Sequence, residues 1–188
     1  DWQIAADIRE GAINHFLLKP IDYLWFRLTL FVSGRVMYTA VALVPVGLFV
    51  VLHHGYVVGP AEVSALGWFL LALVLTGFLQ FLISFTMALL SFWVLEVSTF
   101  IFILYSLEYV AGGHLFPLDL LPATVAQVLW YTPFPYQLYF PVGIYLGRIQ
   151  GAAMWQGFAL QLAWIGAIYA LARWMWSRGI RRYAAYGG

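Results

Sequence analysis

The sequence predicts an all-α integral membrane protein, on three observations: very few charges, long apolar runs, and basic residues gathered at the two ends. Of the 188 residues, 64% are hydrophobic and 9% charged, against roughly 25% charged in ordinary soluble domains. A chain this apolar cannot cover its own surface with polar groups, so that surface faces lipid.

The elements follow in order. The run Leu28–Leu52 carries one charge, Arg35, and at about 1.5 Å per residue it is long enough to cross a core roughly 30 Å thick. Pro45 and Gly47 predict a kink, which membrane helices tolerate. His53-His54-Gly55 through Gly59-Pro60 reads as a short turn in water. From Ala65 to Leu107 the only charge is Glu96, and a single helix there would be roughly twice the hydrocarbon thickness. Two spans with a concealed turn are therefore predicted, near 65–91 and 95–112, the turn marked by Ser91, Glu96, Ser98 and Thr99. After Gly112-Gly113 come Pro117, Pro122, Pro133, Pro135 and Pro141. That stretch is too proline-rich for a spanning helix and too apolar for a solvated loop. Short helical pieces re-entering the membrane across 113–151 reconcile both facts. The last span is expected at about 152–174, followed by a tail over 175–188. It carries Trp155, Trp164, Trp174 and Trp176, those near its ends suited to the interfaces.

About four transmembrane helices put both ends on one side. Arg9, Lys19, Arg27 and Arg35 cluster at the first end, and Arg173, Arg178, Arg181 and Arg182 at the last, leaving Arg148 elsewhere. The positive-inside rule makes that side cytoplasmic, with 53–64 and 113–151 outside. His53 is thus expected to be external and Gly188 cytoplasmic.

Chemistry is sparse. There is no cysteine, so disulfides and thiolate catalysis are excluded. No phosphate-cradling G-x-x-x-x-G-K-[ST] loop occurs, nor any H-E-x-x-H or G-x-S-x-G element. No cofactor or metal is therefore expected in this chain. The adjacent His53 and His54 would point apart on a helix and read as a solvated turn; the lone His114 reads as structural. No cleavable signal sequence opens the chain, and Asp1-Trp2, without an initiator methionine, predicts residues ahead of Asp1.

Four places hold candidates. Over residues 1–19, Ile4, Ile8, Ala12 and Phe16 form a rough i, i+4 stripe with Asp7, Arg9 and Glu10 off it. Gly11 can break that helix and Pro20 start the next. Such a segment reads either as a helix on the membrane surface or as one docking a partner. Glu96 sits at the turn in water or at membrane depth. Glu108 is placed to line a path, pair with Arg148, or stay protonated. Gly143, Gly147 and Gly151 have the spacing of close helix packing, but the intervening Arg148 and Gln150 favour a tight bend before the last span.

The series DIREG (7–11), LLKP (17–20), GGHLFPLDLLP (112–122), YTPFPYQLYFPVGIYLG (131–147) and GIRRYAAYGG (179–188) resembles the permease subunits of type-2 ABC exporters. No single motif is strong, but their order and spacing run nearly end to end. The resemblance implies a six-span subunit with a coupling helix between spans two and three and an external re-entrant helical pair between spans five and six. This chain would then supply spans three to six as one transmembrane domain, with two spans ahead of Asp1. It further implies that Asp7, Ile8, Arg9, Glu10, Gly11, Phe16, Lys19 and Pro20 form the ATPase-coupling segment. Glu96, Glu108 and Arg148 would be polar pathway or structural residues. Implied partners are a second permease subunit and cytoplasmic ATPases carrying ATP and Mg, in a bacterial-type inner membrane, with no nucleic acid. A channel or ion-coupled carrier is the alternative, though no inverted repeat is visible. A membrane-embedded enzyme would have to use His15, Asp22 and Asp7, which show no catalytic spacing.

Overall fold

The computed structural model describes residues 2–10, 12–13, 16, 19–94 and 96–186. Among them the regular structure is helical. The α-helices are α1 (Trp2–Arg9), α2 (Tyr23–Leu52), α3 (Val63–Leu89), α4 (Ser98–Ala111), α5 (Ala123–Trp130), α6 (Tyr139–Tyr145) and α7 (Gly151–Tyr186). The chain divides into two compact units, residues 13–59 and residues 1–12 with 60–188.

The unit 13–59 is α2 with its lead-in. Pro20 was the expected helix start, but α2 begins at Tyr23 because Asp22 caps it. The Asp22 carboxylate accepts the backbone N–H groups of Leu24 at 3.0 Å and Trp25 at 3.4 Å, satisfying donors that have no partner inside the helix. Phe16 packs on this first turn, 5.3 Å from the Tyr23 ring and 4.9 Å from Phe26. The Arg27 Nε donates to the Tyr23 hydroxyl at 2.9 Å. Farther along, Val36, Met37, Val41, Val44 and Val51 are all exposed, as a helix bathed in lipid requires. α2 runs on through Pro45.

In the second unit α3 and α7 pack along each other. Leu79, Leu82, Phe85 and Leu89 of α3 and Phe158, Gln161 and Ala172 of α7 are buried there. Three helices, α2, α3 and α7, are long and apolar enough to cross a membrane. α4 has 14 residues, about 21 Å, less than the hydrocarbon thickness. The polar turn falls where polarity marked it: α3 closes through a 3-10 turn, Leu90–Phe92, and α4 starts at Ser98.

The proline-rich stretch is a chain of short pieces: a 3-10 turn Leu118–Leu120, α5, a 3-10 turn Pro135–Gln137, and α6. Pro117 and Pro122 stand at the N-caps of two of them, and Pro135 opens a third. These are positions where a missing N–H breaks no helical bond. The glycine series that follows is a bend. Gly147 (φ +70) and Gly151 (φ +57) are left-handed, and a Cβ on Gly147 would lie 2.6 Å from that of Ala61. Beyond the bend the expected tail is instead helix, since α7 continues for 36 residues to Tyr186. No proline interrupts it, and its alanine, arginine and methionine residues favour helix.

Candidate functional site

The base of the second unit is built on α1. Ile4, Ala5 and Ile8 share one helical face and are buried. Ala5 sits in a cluster with Val97 and Ile101, flanked by Met87, Leu90 and Tyr105. The helix thus closes the junction between α3 and α4. It is shorter than the expected stripe over 1–19: it ends at Arg9, and the Glu10 N–H closes back on the Ala6 carbonyl at 2.8 Å. Ala12 lies in a turn. Gly11, the expected breaker, falls outside the described residues.

Of the expected coupling residues, Asp7, Ile8, Arg9 and Glu10 stand together at the end of α1. Ile8 faces in, while Arg9 and Glu10 are exposed. Phe16, Lys19 and Pro20 belong to the unit 13–59, with Lys19 and Pro20 exposed and the Lys19 ammonium 5.5 Å from the Phe16 ring.

Glu96 is an exposed turn residue. Its carboxylate accepts the Ser98 N–H at 3.2 Å and the Ser98 hydroxyl. These bonds, with the positive charge of Arg9, hold the carboxyl below its ordinary range, so it is ionised at neutral pH. Glu108 lies on the inward stripe of α4 with Ile101 and Ala111, only 8% exposed. The expected pairing of Glu108 with Arg148 is corrected: the Arg148 guanidinium meets Asp119 at 3.1 Å. The bend at Gly147 presents Arg148 to the 3-10 turn Leu118–Leu120, where the Tyr139 hydroxyl also donates to Asp119, at 2.5 Å. Both charged side chains are about half exposed, so the pair contributes at most about 1 kcal/mol. Its use is geometric: it ties the re-entrant pieces to the bend before α7.

Other residues that hold the unit together had not been singled out. Gln161 is fully buried in α7; its amide donates to the Thr76 hydroxyl at 3.2 Å and the Ala72 carbonyl at 3.4 Å. Thr76 donates in turn to the Tyr136 carbonyl at 2.7 Å. One amide therefore links α7 and α3 and, through Thr76, the proline-rich segment, and hydrogen bonds of this kind contribute on the order of 1 kcal/mol in a membrane. Beside it Phe140 is fully buried, its ring 5.4 Å from Tyr136, 6.1 Å from Trp130 and 5.2 Å from Phe158. Gly157 gives that ring room. An amide in an apolar span was a readable signal, but it marked Gln156 and Gln161 alike; Gly157 offered none.

On α4, Ser98, Thr99, Ile101, Phe102 and Tyr105 line an open groove of about 450 Å³. What this arrangement can do is mechanical. In the second unit a short docked helix ends in exposed charges, and short helical pieces stand between the long apolar helices. No curated protein and no solved structure matches the chain. Residues 2–187 do match the family model of the ABC-2 family transporter protein. The match takes in the docked helix, the long helices and the short pieces between them alike, and the chain belongs to the ABC-2 transporter family, as a membrane-embedded transport subunit.

Proposed function

We propose that this chain is the permease half of an ATP-driven exporter. It forms the translocation pathway with a second permease subunit and is driven by cytoplasmic ATPases through α1. The observation that carries the reading is the two-sidedness of α1: Ile4, Ala5 and Ile8 hold the base of the unit, while Arg9 and Glu10 face away from it. A push on such a short docked helix reaches the α3–α4 junction directly, because packed interiors transmit strain. Asp7, Gly11, Phe16, Lys19 and Pro20 extend the coupling segment. Glu96 serves the turn beneath α4, and Glu108 and Arg148 are structural or pathway groups. ATP and Mg act on the partner, since this chain has no phosphate-binding loop.

The reading is tested by charge reversal. Arg9→Glu and Glu10→Lys are expected to lower transport-linked ATPase activity and copurification of the ATPase, with membrane insertion unchanged. A rim contact contributes about 1 kcal/mol or less, whereas a buried, hydrogen-bonded charge at the docked interface contributes roughly 2–5 kcal/mol. Wild-type assembly and coupling in both variants would reduce α1 to a surface helix.

The orientation has its own check. In the cysteine-free chain, a cysteine at position 53 is expected to react from outside intact cells and one at position 188 only after lysis. The reverse pattern inverts the topology.

A further inference from the structure

The cytoplasmic-side extension of α7 has one face occupied and one face open. Ala172, Met175 and Gly179 are buried. A Cβ on Gly179 would strike the Phe92 ring, and Trp176 stands 6.1 Å from Phe92 and 6.4 Å from Phe85. That close approach fixes the rotation of the helix about its axis. The opposite face consists of two adjacent rows at i, i+4, i+8 spacing: Arg173, Ser177 and Arg181, and beside them Trp174, Arg178 and Arg182. All six are exposed. The Arg178 guanidinium lies 5.9 Å from the Trp174 ring, and Trp174 is 56% exposed.

Charge is one-sided here to an unusual degree. No acidic residue follows Asp119, so the last 69 residues carry five arginines and no carboxylate side chain. The same exposed azimuth continues up α7 through the apolar or small residues Ala170, Ala167, Ala163 and Ala159. The basic rows therefore begin where the membrane-facing strip of the same helix ends, at an indole of the kind that settles at the headgroup level. Arg178 is about 7 Å and Arg182 about 13 Å beyond Arg173 along the axis. Arginine stems reach back several ångströms by snorkelling, which brings these guanidinium groups into the headgroup layer.

We propose that the α7 face formed by Arg178, Arg181 and Arg182, with Trp174, binds the phosphates of anionic phospholipids and selects them over zwitterionic ones. The guanidinium fork matches a phosphate through paired hydrogen bonds. Continuity with the membrane-facing strip makes the occupant a lipid rather than a protein. The inference rests on α7 crossing the membrane but not on ATPase coupling, so the two can fail separately.

The test uses the full-length permease in mixed micelles of phosphatidylglycerol and phosphatidylcholine with identical acyl chains, in equal amounts, with retained lipids counted by native mass spectrometry. The wild type is expected to retain phosphatidylglycerol in excess. Each arginine at an anionic surface contributes roughly fivefold, and the excess should shrink as salt rises. Arg178→Gln/Arg181→Gln/Arg182→Gln should fall to near parity, and the triple lysine variant should retain only part of the excess, since an ammonium keeps the charge without the fork. Parity in the wild type, or an unchanged excess in the glutamine variant, overturns the proposal. A glutamine variant with an unchanged excess that also loses a cytoplasmic partner shows that the face docks protein. If the triple variant does not accumulate, Arg181→Gln and Arg182→Gln are measured singly. Full retention by both is equally fatal.

Discussion

Gly157→Leu is expected to destabilise the protein by about 3 kcal/mol, at the upper end of ordinary overpacking costs. A Cβ at Gly157 would lie 2.1 Å from the Phe140 Cε2 and 2.7 Å from its Cζ. That ring cannot swing aside, because Trp130, Tyr136 and Phe158 surround it. Thermal unfolding of the purified protein in detergent measures the loss. Gly166→Leu on the same helix is the control: nothing lies within 4 Å of its Cβ position, and the change should stay within about 0.5 kcal/mol. Adding Phe140→Ala to Gly157→Leu should recover part of the deficit by returning volume to the site. Equal behaviour of the two leucine variants would contradict the packing of α6 on α7.

The second large effect is expected from Ala5→Asp. Ala5 is fully buried against Val97 and Ile101, so the new carboxylate loses its hydration among hydrocarbon side chains. That penalty is several kcal/mol for an uncompensated ion. The unit escapes most of it by releasing the eight-residue α1, so α1 should undock while the helices above stay packed. A reporter cysteine in place of Ile8, which is 3% exposed, should be protected in the parent and labelled in the Ala5→Asp variant. Under the proposed coupling, ATPase stimulation is lost with it. Arg9→Glu and Glu10→Lys should lose coupling with the reporter still protected, which separates a helix that has left its seat from one that has lost its partner. A protected reporter in the Ala5→Asp variant would mean that α1 does not sit as described.

Helix type and length were largely legible because they rest on local signals. The apolar runs yield α2, α3 and α7. The polar group Ser91, Glu96, Ser98 and Thr99 marks the break between α3 and α4, since a carboxylate among apolar residues has to reach water. Prolines foretell the short pieces between 117 and 141 because each removes a backbone donor. The misses involve pairing across distance. Pairing with Arg148 was one of three readings of Glu108, whereas the bend at Gly147 carries Arg148 to Asp119. Gly143, Gly147 and Gly151 were legible as a bend. Gly157 and Gly179 were not legible as packing sites, because the need for a missing side chain depends on which distant ring faces it. The helical form of the tail after 174 was not legible, because Arg178, Arg181 and Arg182 end a hydrophobic run without ending a helix.

Those two glycines give α7 the mechanics of a beam held at two bearings. One bearing is the Phe140 ring among the short helical pieces, the other the Phe92 ring beside the base, 22 residues or about 33 Å apart. A rod so seated neither slides nor spins without lifting an aromatic ring from its socket. It can still pivot. Turning about the Phe140 bearing by only about 5° swings the Phe92 end through roughly 3 Å, close to the width of an atom. No proline breaks the rod between the bearings. A small rocking near one end of α7 thus arrives at its other end as a displacement comparable to a side chain, carried by the stiffness of a single helix.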